Sequence, residues 1–363
     1  MQKVTQATVK TLRLRVKDKH AKMLCAQARE VNMVWDFVNE LSMKHTERTG
    51  KFFSSYDLHP YTRGAAKEGL SLHSQTTQAI SEEYVTRRKQ FKKKRLSWRK
   101  SGGARRSLGW IPFKASATQY RNGQVLYQGK PISLWDSYGL SHFELGTGSF
   151  SEDSRGRWYF NVTAKLPDLV GPVQPAATGS LGIDLGLKEF AGFSDDAIEN
   201  VEGQRYYRDM EPRLAIAQRA CKPKRVKSIH AKIKNRRKDH HHKLSTQLAG
   251  QHGAIFVGNV NASGLAKTRM AKSVLDAGWS QFRTMLQYKC DHAGVWFDEV
   301  NEAYSTQDCS ACQTRSGPKG LKDLGIRGWT CSACGTIHDR DRNAAKNILA
   351  AGHRRLAVGI PFL

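Results

Sequence analysis

Residues 180–196 read SLGIDLGLKEFAGFSDD. Two short apolar runs, Leu181-Gly182-Ile183 and Phe190-Ala191-Gly192-Phe193, flank a glycine-bearing turn, which is the pattern of a tight hairpin. Asp184 stands directly at the end of the first run, where desolvation of a carboxylate is costly. A turn aspartate is the bland explanation for this residue taken alone. Downstream, the pattern predicts a long basic helix over roughly 208–250 and a buried strand IFVGN (255–259). An amphipathic helix KSVLDAGWSQFRTMLQYKC (272–290), a strand VWFDEV (295–300), a cysteine-bearing insert and a helix NAAKNILAAGH (343–353) complete the series. A hairpin followed by strands alternating with helices is an α/β pattern with an antiparallel edge.

Upstream, residues 4–16 alternate at period two and predict a strand. From Lys19 the period becomes helical, with Leu24, Ala28, Val31, Trp35 and Val38 near one face. A second helical stretch begins near Leu72 and turns strongly basic. Turn signals at Asn122-Gly123 and Gly129-Lys130 predict a β-rich segment up to about Lys165. The proline- and glycine-rich PDLVGPVQPAATG (167–179) marks the main domain boundary.

The charge balance limits the partners. The 363 residues carry 59 Lys+Arg against 32 Asp+Glu, a net +27. That excess destabilises a compact state by self-repulsion, so a polyanion is the natural partner, and nucleic acid is favoured. Two basic runs stand out, residues 87–100 and 222–243, with Trp98 and Trp110 as candidate stacking partners for bases. A solvated helix face is the ordinary reading of such runs. No apolar leader or membrane-length run is present, which predicts a soluble cytoplasmic protein with no membrane partner.

Reduced thiols in that compartment favour metal over disulfides for the grouped cysteines. Cys309-x-x-Cys312 and Cys331-x-x-Cys334 are separated by 18 residues, the spacing of a four-thiolate structural zinc site. Cys25, Cys221 and Cys290 have no such partners. His240-His241-His242 cannot converge on one ion, because successive helical residues point about 100° apart. In HDRDRNAAKNIL (338–349), one of Asp339 and Asp341 is expected to cap the helix that follows.

Together GIDLG, NEAYSTQDCSAC and CSACGTIHDRDRNAAKNIL resemble the TnpB family, transposon-encoded RNA-guided DNA endonucleases related to type V CRISPR effectors. The resemblance is strong over roughly 178–351 and looser over 1–165. It implies an RNase H-like RuvC nuclease domain (178–304 and 336–352) with an inserted zinc ribbon (305–335) and a C-terminal tail (353–363). It also implies an N-terminal wedge-type β-barrel (1–17 and 98–166) interrupted by a helical recognition bundle (18–97). By position, Asp184 and Asp341 correspond to the first and third catalytic acids, the ligands of Mg²⁺. Guide RNA and double-stranded target DNA are the implied partners, in a bacterial, nucleoid-associated setting.

The family's second acid is a glutamate where this chain has Gly258, followed by Asn259. Two aspartates are rarely enough for two-metal hydrolysis. The strand VWFDEV should lie parallel to IFVGN, since a helical crossover joins them, and ligands collect at the carboxyl ends of such strands. Glu302, just past that end, is expected to supply the missing acid over the bare Gly258, with Glu299 in reserve. A guided DNA-binding repressor without cleavage and a plain zinc-ribbon DNA-binding protein are the competing functions.

Overall fold

The computed structural model describes residues 9–65, 67–165, 177–320, 323 and 325–357. It divides into two compact units, Met1–Asp168 and Leu169–Leu363. Most of the expected boundary at 167–179 lies outside the described residues, as do the first residues of the expected N-terminal strand and the end of the tail. No helix among the described residues is long and apolar enough to cross a membrane.

The first unit opens with β1 (Val9–Val16) and continues through α1 (Ala21–Thr49), α2 (Ser55–Thr62) and α3 (Ser74–Phe91). Leu24, Ala28, Val31, Trp35 and Val38 form the buried stripe of α1, as their spacing requires. The helix stops at Gly50, whose φ of 68° a residue with a Cβ resists. A capping box between Ser54 and Asp57 starts α2. The expected helix over the basic run is cut short: α3 ends at Phe91, and four successive cations, Lys92 to Arg95, follow with no acid among them. Beyond them the chain is tied to α1, where the Asn39 amide brackets Leu96, accepting its N–H at 3.1 Å and donating to its C=O at 2.8 Å.

Then come β2 (Trp110–Phe113), β3 (Thr118–Arg121), β4 (Gln124–Tyr127), β5 (Lys130–Trp135), β6 (Glu144–Glu152) and β7 (Trp158–Lys165). They join β1 in a seven-stranded sheet ordered β2-β6-β7-β1-β5-β4-β3. Asn122-Gly123 and Gln128-Gly129 all have positive φ, the requirement of two-residue hairpin turns. The second turn therefore sits one residue earlier than expected. The sheet curls, because Tyr127 of β4 packs 5.0 Å from Phe150 of β6, four places away in the strand order.

In the second unit, β8 (Ser180–Asp184), β9 (Glu189–Phe193) and β10 (Val201–Glu202) form an antiparallel edge. Helices α4 (Tyr206–Arg219) and α5 (Pro223–Gln251) follow where one long helix was expected. Cys221, at φ 49°, and Pro223, which lacks an N–H, break the run, and the two helices pair through Met210, Leu214, Ile229 and Ile233. Next are β11 (Ala254–Gly258), the short α6 (Ala262–Leu265), α7 (Ala271–Ala277), α8 (Trp279–Ala293) and β12 (Trp296–Val300). The expected single amphipathic helix is split at Gly278, which has φ 68° and where a Cβ would press on Arg237 and His241. The sheet order is β10-β9-β8-β11-β12, with β11 parallel to both β8 and β12.

The insert carries β13 (Gly328–Thr330) and β14 (Ile337–Asp339), and α9 (Arg340–Ala357) closes the described chain. This helix runs five residues past the expected domain end at 352. Side-chain alternation assigns the two faces of the sheet. Ile183 and Val257 face the apolar cluster that contains Phe282 and Leu286 of α8. On the other face, α9 lies close because glycines leave room: a Cβ on Gly182 would be 2.2 Å from Ala345 O, and one on Gly352 would be 2.2 Å from the Phe256 ring.

Candidate active site

Asp184 ends β8 on the α9 face, two residues after Gly182. Its partner across the hairpin is Gly192, and a Cβ there would stand 3.2 Å from Asp341 Cβ. Directly paired antiparallel residues are neighbours, so the Asp184 and Asp341 backbones are held together by a bare glycine between them. Asp339 takes the capping role, its Oδ1 accepting the N–H groups of Asp341 (3.1 Å) and Arg342 (2.9 Å). That leaves the Asp341 side chain free for other work. Both its oxygens accept from Arg327 Nη1, at 2.9 and 2.8 Å.

Strand β12 lies parallel to β11, with Gly258 opposite Val300. After Val300 the chain bends back, as Asn301 Oδ1 accepts the Ala303 N–H at 3.0 Å and Asn259 Oδ1 meets the Glu302 N–H at 3.4 Å. The bend brings Glu302 over Gly258: a Cβ built there would be 2.5 Å from Glu302 Oε2 and 3.3 Å from Glu302 Cβ. Glu302 Oε2 is buried without a hydrogen-bond partner. Glu299 lies on the opposite face, paired with Arg283 of α8 at 2.8 Å, while Asp298 pairs with Arg355 of α9 at 2.9 Å.

The electrostatics reflect this crowding. Burial first, then the charges of Glu302 and Asp341, push Asp184 up to about 8. Burial also raises Glu302, against the pull of Arg283, and raises Asp341, against the pull of Arg327. Two participants had no signal in the sequence. Glu189 adds its charge to the group and is held by the Asn200 amide at 2.5 Å. Arg327 reaches Asp341 only through the folding of the insert.

The four cysteines bring their sulfurs within 4.8 Å of one another, and among the described residues no other group of three or more His, Cys, Asp or Glu does so. Sγ separations of 3.6 Å (Cys312–Cys331) and 3.7 Å (Cys309–Cys334) match the edge of a tetrahedron with Zn–S bonds of about 2.3 Å. The two knuckles repeat one geometry. Cys309 N–H donates to Thr314 O and Cys331 N–H to Thr336 O, each at 2.9 Å, with Gln313 and Gly335 at positive φ. The Ser316 hydroxyl leads the groups that lower Cys331 to about 6, while burial raises Cys309 to about 11, so the thiols of the cluster are pushed in opposite directions. This cluster can hold a zinc ion. His338, also unforeseen, lies with Nε2 3.0 Å from Cys309 Sγ and packs on Trp329.

The remaining candidates have other surroundings. His241 is buried, stacked on Phe190 at 5.1 Å and pushed down by burial to about 4. Lys224, Arg225, Lys227, Lys232 and Lys234 of α5 are exposed. Trp98 is exposed with Arg95 5.8 Å from its ring, whereas Trp110 is half-buried and packs edge-on against Trp35 at the margin of its unit's core. Of the three ungrouped cysteines, Cys25 is half-buried, Cys221 exposed and Cys290 buried.

Comparison with known proteins bears on the same segments. A family model described as "Probable transposase" matches residues 161–269, and one described as "Cas12f1-like, TNB domain" matches 279–348. The "Putative RNA-guided DNA endonuclease" of Streptomyces pristinaespiralis is 32% identical over 286 residues, covering 74% of this chain and 69% of that protein. The "Putative RNA-guided DNA endonuclease InsQ" of Escherichia coli K12 is 29% identical, covering 57% of this chain and 56% of that one. A Cas12f1 chain solved by cryo-EM with sgRNA and target DNA aligns over 94% of this chain and 99% of its own, at 15% identity and a TM-score of 0.37. The chain belongs to the TnpB family of RNA-guided DNA endonucleases.

Proposed function

We propose that the protein is a guide-RNA-directed, Mg²⁺-dependent DNA endonuclease. The observation that carries this reading is the seating of the Glu302 carboxylate over Gly258, on the same sheet face as Asp184 and Asp341. An antiparallel three-stranded edge, two further parallel strands and helices on both faces support an RNase H-like, RuvC-type fold for the second unit. Three carboxylates, one with a buried unpartnered oxygen and one pushed up to about 8, leave this edge short of positive charge; their oxygens do not all lie within 4.8 Å of one another, which suits acids that flank a pair of ions rather than close on one. Oxygen-only donors suit Mg²⁺, and Asp184, Glu302 and Asp341 are the residues that would hold it. Held by these residues, Mg²⁺ would contribute activation of a water and charge neutralisation at the leaving oxygen. Asn259 and Asn301 fix the bend that aims Glu302, and Asp339 caps α9 in place of Asp341, whose carboxylate oxygens, among the described residues, accept only from Arg327. The four-thiolate zinc site folds the insert and has no open position for chemistry. The net charge of +27, the exposed basic face of α5 and the names of the relatives support RNA and DNA as partners.

A guided DNA-binding protein without cleavage is the second reading. It is favoured by Arg327, whose Nη1 occupies both oxygens of Asp341. Guide-dependent plasmid cleavage separates the two. Wild type should cut in Mg²⁺, Asp184→Ala and Glu302→Gln should not, and Glu299→Gln should cut like wild type. Target binding without any cleavage in Mg²⁺ or Mn²⁺ would favour the second reading. Cleavage by Glu302→Gln at the wild-type rate would remove Glu302 from the site.

A further inference from the structure

A cavity of about 350 Å³ opens at the turn that follows Asp184, lined among others by Gly186 and Lys188 of that turn, Gly203 and Arg205 ahead of α4, and Arg208 and Asp276. Its walls are fixed. The Gly203 N–H donates to Lys188 O at 2.7 Å, and the Trp279 indole N–H donates to Gly186 O at 3.3 Å. Neither glycine has room for a side chain: a Cβ on Gly203 would be 2.4 Å from Leu187 O, and one on Gly186 would be 2.7 Å from Glu189 O. Such backbone ties make the cavity a preformed one rather than a gap between mobile loops.

Its charge is unbalanced. Arg208 pairs with Glu211 at 3.1 Å, and Lys272 holds the other oxygen of that carboxylate at 2.8 Å. Asp276 is buried, with Oδ2 accepting the Tyr207 N–H at 2.7 Å and Oδ1 3.9 Å from Arg237 Nη1. Lys188 and Arg205 are exposed and form no ion pair among the described residues. Lys188 is also among the cations that pull on the Asp341 carboxyl, so the cavity lies within electrostatic reach of the acids. A cluster of carboxylates repels a phosphodiester strand, and the phosphates beside the reacting one need cations of their own.

We propose that this cavity is a phosphodiester subsite: Lys188 and Arg205 hold a backbone phosphate of the strand being cut, next to the phosphate at the acids. The proposal rests on the nuclease reading, but its test does not need cleavage. The full chain, purified with its bound RNA, is titrated in EDTA with a 20-nucleotide single-stranded DNA, wild type against Lys188→Gln/Arg205→Gln. The double variant should bind roughly tenfold more weakly near 0.1 M salt, and its salt slope should fall by about 0.7 for each phosphate the protein no longer neutralises. The oligonucleotide is then scanned with neutral methylphosphonate linkages, one at a time. Substitution at the linkage seated in the cavity should weaken wild type severalfold and leave the double variant unaffected. Both side chains are exposed, so an unchanged melting temperature is expected of the variant. A variant that loses affinity equally at every linkage, or loses none, would overturn the subsite. Wild-type cleavage with no linkage-specific effect sinks the subsite and leaves the nuclease standing. A linkage-specific effect in a protein that never cleaves sinks the nuclease and leaves a phosphate-binding cavity.

Discussion

If Glu302 occupies the space above Gly258, substitutions at the two positions must be energetically coupled. A Cβ at residue 258 would sit 2.5 Å from Glu302 Oε2, 3.1 Å from Ile348 Cδ1 and 3.3 Å from Glu302 Cβ. Gly258→Ala therefore overpacks the site at a cost of about 1–3 kcal/mol. Against that, relief of the glycine's backbone freedom returns about 0.5–1 kcal/mol. The net expectation is a loss of about 1–2 kcal/mol. With Glu302→Ala in the background the nearest clash is gone; Ile348 Cδ1 at 3.1 Å and the retained Cβ of residue 302 at 3.3 Å need give only a few tenths of an ångström, so the same substitution should be close to neutral. Glu302→Ala alone should stabilise the metal-free protein by about 1–2 kcal/mol, because it removes a buried oxygen with no hydrogen-bond partner.

Urea denaturation in EDTA of the four proteins in this cycle gives the coupling, expected at about 1–2 kcal/mol. A coupling below about 0.3 kcal/mol, within ordinary additivity, would refute the seating of Glu302. The same geometry selects the rescue. An aspartate at 258 places its oxygens about 2.4 Å from its own Cβ, from one C–C and one C–O bond. That is nearly the 2.5 Å separating Glu302 Oε2 from the same point. Gly258→Asp/Glu302→Ala should recover part of the cleavage lost in Glu302→Ala.

Zinc is expected at one per chain, and the Cys331→Ser/Cys334→Ser double variant should lose it; metal analysis finding one zinc retained would refute the four-thiolate assignment. Asp184 links stability to pH. Its folded value of about 8 lies above the ordinary 3.8, so between these the folded state holds the extra proton. Metal-free stability should therefore fall as pH rises from about 4 to about 8, by at most about 1.4 kcal/mol per pH unit from this group. On the proposed reading Mg²⁺ would compete with that proton, so the rise in melting temperature on adding Mg²⁺ should be larger at pH 8 than at pH 6. An equal rise at both would show that Asp184 does not take part.

Some of this arrangement is legible from residue order because it depends on short-range periodicity. The apolar runs around 181–183 and 255–257, the stripe of α1 and the paired Cys-x-x-Cys knuckles each express a local rule. The parallel pairing of β12 with β11 follows from the helix between them. The breaks at Cys221 and Gly278 were hidden, since helical amphipathicity continues on both sides of each. Arg327 and Glu189 were hidden for another reason. Nothing local to GIRGWT or LKEF specifies that the insert folds back onto α9, or that the second hairpin strand starts beside the acids.

The choice between Glu302 and Glu299 shows what a single residue of register decides. In β12 the side chains alternate, and Asp298 reaches Arg355 of α9 while Glu299 reaches Arg283 of α8. Glu299 thus lies across the sheet from Asp184, and no rotamer brings it through the backbone. Glu302 is an even number of residues beyond Val300, the partner of Gly258, and so begins on the α9 side. Parity alone would carry it onward past the strand end, away from β11. The asparagines on either side prevent this: Asn301 turns the chain and Asn259 meets the Glu302 amide, which returns the carboxylate to the position above the glycine. The bare Gly258 and the asparagine that follows it in NVN are therefore one structural arrangement. The glycine supplies space, and its neighbour holds the loop that fills it.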